Sequence, residues 1–220
     1  MTEINKNTLS SELTKEKLIN EGIKQFALYG INGVRTRQLA ECAGVNQSAI
    51  PYHMGGKMGV YAAVIHKIAA DLAQMSNVSV FDVQFEQLKA QASHEVIEAE
   101  SLLRLLIKGL GLALLSPGHE YYSILILREQ LEPTENAEII FKEFIEPFHS
   151  RLTSLVQFIT NEDRATAIIS AHALIGQVLG FVIAKKSLLK RLNQENIDKD
   201  LLDKILEQVS VFACNAIISR

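Results

Sequence analysis

Between Thr14 and Gly30 the apolar positions fall at Leu18, Ile19, Gly22, Ile23, Phe26 and Ala27, a spacing that lays one stripe along a helix. Thr14 is a candidate N-cap, and Gly30 and Gly33 a stop. "TRQLAECAGV" follows, with Thr36 as the expected N-cap, Leu39, Ala40 and Ala43 turned inward and Gly44 just past the end. Asn46 is placed to cap a short third helix from Gln47 to about Tyr52. "MGGK" separates it from a longer stripe through Val60, Tyr61, Val64, Ile65, Ile68, Ala69 and Leu72. Two helices joined by a tight turn containing Gly make a helix-turn-helix unit.

After a looser stretch, residues 76–82, the pattern predicts helices near 83–99, 101–115, 120–131, 135–160, 163–187 and 198–219. Leu102 to Leu115 is apolar nearly all round, with Arg104 and Lys108 its only charges, so neighbours must enclose it. Through 135–160 the phase survives Pro147, which predicts one kinked helix in which the Glu143 carbonyl lacks its usual partner. No stretch alternates with period two, and the fold class expected is all-α.

Composition agrees. The 220 residues are 48% hydrophobic, with 4 prolines, 12 glycines and no tryptophan. The net charge of −3 is uneven: residues 1–72 carry 8 Lys and Arg against 6 Asp and Glu, and the remainder 14 against 19. A mildly basic head on an acidic body fits a small nucleic-acid-binding part carried by a larger one. The two cysteines, Cys42 and Cys214, form neither a disulfide framework nor a zinc pattern, and the polar start has no signal-peptide core. A cytoplasmic location is expected.

The stretch "GIKQFALYGINGVRTRQLAECAGVNQSAIPYHMGGKMGVYAAVI" resembles the DNA-binding head of the TetR family of transcriptional regulators. The resemblance rests on Thr36, Leu39, Ala40, Ala43-Gly44-Val45, Ser48, Tyr52-His53 and Gly56-Lys57. "LREQLEPT", "FIEPF" and "HALIGQVLGF" are similar to the C-terminal part of its CecR-like branch. The resemblance implies a small three-helix helix-turn-helix domain joined by a long fourth helix to a larger helical domain for ligand binding and dimerisation. The expected boundaries are a flexible arm over 1–13, the head over 14–56, the connecting helix over 57–74 and the second domain over 75–220.

DNA contact is expected from Arg35, Thr36, Arg37, Gln47, Ser48, Tyr52, His53 and Lys57. Hydroxyls and helix N-termini suit phosphates, and residues opening a recognition helix reach base edges. A cation at Lys57 is odd at a helix N-terminus, which favours anions, unless a phosphate lies beside it. Pro51 interrupts the recognition helix where the branch usually has a polar residue, and Met54 and Met58 also depart from its pattern. The helix is expected to kink or finish early there, with its first turn intact.

Ala165 to Ala184 is free of charge over twenty residues. His172 and Gln177 in mid-span and the lack of an aromatic belt argue against a membrane segment. Gly176 and Gly180 offer a flat face, so a dimer interface is expected from His172, Gly176, Gly180, Phe181, Val209, Phe212 and Ala216. Candidate contacts for a small-molecule effector are Arg104, Lys108, Tyr122, Arg128 and His172, although Arg128 and Glu132, four apart, can pair with each other. The partners implied are double-stranded DNA, that effector and a second copy of the chain, with no membrane, metal or cofactor.

The resemblance implies a ligand-responsive repressor that binds a palindromic operator as a dimer and is released by a small molecule. Two alternatives stand beside it. One is a redox-responsive regulator acting through Cys42, although its neighbours suit a small core residue. The other is a helical metal enzyme using Glu146 and His149. A di-iron site needs two Glu-x-x-His units, and there is one; no phosphate loop, nucleophile elbow or zinc-protease signature is present.

Overall fold

The computed structural model describes residues 3–90 and 96–218, for 3–8 the backbone alone. In chain order the helices are α1 Glu3–Gly33, α2 Thr36–Ala43, α3 Ala49–Met54, α4 Lys57–Met75, α5 Val78–Ala90, α6 Val96–Leu115, α7 Glu120–Leu131 and α8 Ala137–Ile140. A π-helical turn, Phe141–Ile145, follows, then α9 Glu146–Thr160, α10 Arg164–Ile183, α11 Lys185–Leu192 and α12 Lys199–Ile218. The described residues contain no strand, so the fold is all-α. The chain divides into two compact units: one runs to Ala69 and adds Ile124–Ile140, the other holds Ala70–Ser123 and Phe141 onward.

In the first unit Leu18, Phe26, Leu39, Ile50, Val60 and Val64 are buried together. Burying such side chains contributes about 1.5–3 kcal/mol each. Two glycines permit close approach. A Cβ on Gly22 would meet Val64 Cγ2 at 2.9 Å, and one on Gly59 would run into the Met54 carbonyl, so α4 can follow α3 only with glycine there. The unit also recruits α7 and α8. Leu125 and Ile126 are buried, the Tyr61 hydroxyl donates to Glu129, and Arg128 Nη2 donates to the Ala27 carbonyl at 3.3 Å. Ala27 lies just before Gly30, whose φ of 67° and ψ of 171° interrupt α1. The guanidinium thus bonds a carbonyl in the last turn before the helix break, where carbonyls fall short of N–H partners.

In the second unit α6 is the central helix, with α5, α9, α10 and α12 packed on it. Its enclosure follows from the apolar circumference read in the sequence. Gly111 lets Leu206 of α12 close in, and Gly109 admits the backbone of Ser76, whose carbonyl would lie 2.7 Å from an added Cβ.

Several boundaries differ from the sequence reading. α1 is helical from Glu3, so no break separates the expected arm from the head at Thr14. The stretch expected to be loose is helical from Val78. At Pro147 the chain does not simply kink: proline has no N–H for the Glu143 carbonyl, and the turn before it widens to the π pattern. The helix expected over 163–187 breaks at Ala184, and α11 starts anew.

Candidate nucleic-acid interface

α2 and α3 form the helix-turn-helix pair, and their ends are fixed locally. Gly44, in the left-handed region at φ 64°, closes α2, its N–H donating to the carbonyls of Ala40 and Glu41. Arg35, in extended conformation, is the N-cap, and Thr36 is the first helical residue rather than the cap. The Asn46 carboxamide oxygen accepts from the Ser48 N–H at 2.9 Å and the Ser48 hydroxyl at 2.8 Å. This turn takes up two residues, so α3 begins at Ala49, not Gln47.

That shift resolves the proline. Pro51 is the third helical residue of α3, and first-turn N–H groups have no intrahelical acceptor. The Gln47 carbonyl accepts instead from the Ile50 N–H at 3.2 Å, and helical bonding resumes with Tyr52 N–H to the Ser48 carbonyl at 3.2 Å. The helix does not stop at Pro51; it runs to Met54, where Gly55 caps it in the left-handed region.

The expected DNA-contacting residues share this unit. Thr36, Gln47 and Ser48 line one open groove of about 540 Å³ with Asn46 and Pro51. Gln47, Ser48 and Arg35 are exposed, and Tyr52 keeps 83% of its surface. Lys57 opens α4 and donates to the Val34 carbonyl at 3.2 Å, which steadies the ammonium beside the start of α2. Arg37 pairs with Glu41 at 2.9 Å on the surface of α2. Such exposed pairs contribute little, so the guanidinium can exchange its partner. His53 is half-buried in the last turn of α3. Asn46, read in the sequence only as a helix cap, shapes the groove, and Ser11, bonded to His53, was not singled out there.

Residues 99–217 match the family of the C-terminal domain of CecR, an HTH-type transcriptional dual regulator. The chain belongs to the CecR-type branch of the TetR family of transcriptional regulators. The CecR of Shigella flexneri is 30% identical over 205 residues, covering 92% of this chain and 91% of that protein. Among solved structures, a transcriptional regulator from Rhodococcus sp. Rha1 superposes with a TM-score of 0.63 at 16% identity, covering 93% of this chain and 97% of its own. A TetR-family regulator from Mesorhizobium loti gives 0.61 at 14% identity, covering 95% and 96%. These similarities show the fold. CecR-type proteins are regulators and not enzymes.

In this CecR-type chain each of the five candidate effector contacts has its own local surroundings. Arg104 pairs with Glu100 at 2.9 Å and Glu207 at 3.1 Å, and Lys108 with Glu207 at 2.7 Å; both cations tie α6 to α12. Tyr122 donates to Asp71 at 2.6 Å, and burial, then that bond, pushes its phenol above the ordinary range. Arg128 belongs to the first unit, against Ala27, and does not pair with Glu132. His172 lies exposed on α10, its ring 5.7 Å from that of His149. Burial, followed by repulsion from His172, lowers the His149 pKa.

Of the expected dimer residues, Gly176 and Gly180 face open space and Phe212 is 59% exposed. Phe181 and Ala216 are half-covered. Val209 is 3% exposed, spent on its own chain's core and not available to a partner. α10 is long and apolar enough to cross a membrane by length and composition, and Ile169 on it is 69% exposed. Cys42 is exposed, against the inward packing expected: α2 turns Leu39 and Ala40 inward and leaves it outside. The Glu146 carboxylate accepts from Ser150 and His149 meets Thr153; no cluster of three or more His, Cys, Asp or Glu suited to a metal occurs among the described residues.

Proposed function

We propose that the chain is a cytoplasmic, homodimeric, ligand-responsive repressor whose two heads bind a palindromic DNA operator and are released by a small molecule. The observation that carries the DNA part is the open groove at the start of α3, where Thr36, Gln47 and Ser48 stand together. Gln47 and Ser48 are the base-reading candidates, for residues at the start of a recognition helix reach the major-groove edges. Arg35, Thr36, Arg37, Tyr52, His53 and Lys57 are assigned to phosphates, which set register and affinity.

The apolar, glycine-flattened face of α10 with Phe212 of α12 supports the dimer, and two-fold symmetry matches two half-sites. A ligand binding one of two conformations gains leverage over DNA affinity. The Shigella relative is a dual regulator, so activation at some operators is compatible with the same machinery. Genomic fragments selected by the purified protein, with and without candidate ligands, identify operator and effector together. Lys57→Ala is expected to weaken binding to all duplexes and to reduce the salt slope of affinity by about one unit. An unchanged slope removes Lys57 from the phosphate contacts.

A further inference from the structure

Ser11 stands in the stretch that the sequence assigns to an arm, yet in the structure it reaches the recognition helix. Its hydroxyl lies 3.1 Å from Nδ1 of His53, 42 residues on. The ring is held from a second side by Tyr52, edge-to-face at 4.7 Å between centroids. The remaining nitrogen, Nε2, has no partner among the described residues. A serine or threonine inside a helix often bonds back to a carbonyl four residues earlier, as Ser101 does to Ile97 and Thr14 to Ser10. Ser11 reaches across to another helix instead. Alanine would suit α1 better on propensity alone, so helix formation does not explain a serine there.

The chemistry of the pair supplies a reason. A hydroxyl can donate to or accept from an imidazole nitrogen. When it donates to Nδ1, the neutral ring must carry its proton on Nε2, which becomes a hydrogen-bond donor. A donor is what a phosphate oxygen requires; the other tautomer would present a lone pair to an anion.

We propose that Ser11 is a positioning residue for DNA binding, fixing the tautomer and orientation of the His53 ring so that Nε2–H is offered to a backbone phosphate. The inference rests on the assignment of His53 to DNA contact, and the experiment separates the two. Affinity for a labelled random-sequence duplex at low salt is measured for the full chain, Ser11→Ala, Ser11→Thr, His53→Ala and the double variant Ser11→Ala/His53→Ala. Leaving a side chain to be ordered on binding costs about threefold to tenfold. That is the loss expected for Ser11→Ala, with Ser11→Thr close to the parent and no further loss from Ser11→Ala once His53 is absent. The ring-nitrogen shifts of His53 should also move toward mixed tautomers in free Ser11→Ala.

A loss on His53→Ala without one on Ser11→Ala overturns the proposal and keeps the histidine contact. Equal losses from Ser11→Ala in both backgrounds overturn it too, since Ser11 would then act elsewhere. No loss on His53→Ala overturns the histidine contact itself, and the proposal with it.

Discussion

Glu129 keeps 2% of its surface exposed and spends its two oxygens on the Tyr61 hydroxyl, the Thr134 hydroxyl and the Thr134 N–H. A carboxylate removed from water is tolerable only when such donors replace its hydration. The Tyr61 phenol is pushed up in turn, by burial first and by Glu129 second. Tyr61→Phe keeps the ring and removes one donor, and is expected to lower stability by about 1–3 kcal/mol, read by urea unfolding. An unchanged midpoint would show that the carboxylate finds another donor. Sequence spacing pointed elsewhere at this site: Arg128 and Glu132 are four apart and were expected to pair, but Arg128 turns to the Ala27 carbonyl. The Tyr61–Glu129 bond joins residues 68 apart, beyond the reach of any local pattern.

Among elements, α3 shows why a proline can sit in the helix proposed to read DNA. Its place in the first turn depends on the Asn46 turn that delays the helix to Ala49. Pro51→Ala should therefore change stability by less than about 1 kcal/mol, because no bond is gained. Gly59→Ala is the opposite case: a Cβ there meets the Met54 carbonyl, and overpacking of this kind costs about 3 kcal/mol. Thermal unfolding of the two variants compares them directly, and similar melting points would contradict the packing described. The helix-turn-helix was legible because its signals are local, namely the apolar spacing through Leu39 and Ala40 and the left-handed Gly44. The π turn before Pro147 and the break at Ala184 were not, since propensity records that a helix is strained without fixing how the chain relieves the strain.

For the whole molecule, the decisive surface is the α10 face. Beyond the backbone of α10 itself, no atom lies within 4 Å of where a Cβ on Gly176 or Gly180 would stand, so a side chain there leaves the protomer intact. In the proposed dimer, Gly180→Arg would bring like charges together across the two-fold axis. It is expected to weaken dimerisation by about a hundredfold, measured by sedimentation equilibrium, and to weaken operator binding with it. A dimer that survives the substitution would place the interface on another face. The recruitment of Ile124–Ile140 into the unit that carries the reading helices was not foreseen from charge or composition, because both describe segments and neither says which segments pack together.

The sequence by itself determined the all-α class, the enclosed α6 and the helix-turn-helix pair of α2 and α3, since apolar period, caps and glycine act within a few residues. Only the tertiary structure decided that Arg128 and Glu129 serve the first unit, that Ser11 meets His53, and that Arg104 and Lys108 are occupied by Glu207. Those outcomes depend on which distant groups a buried or partly buried polar atom can reach, and packing alone sets that.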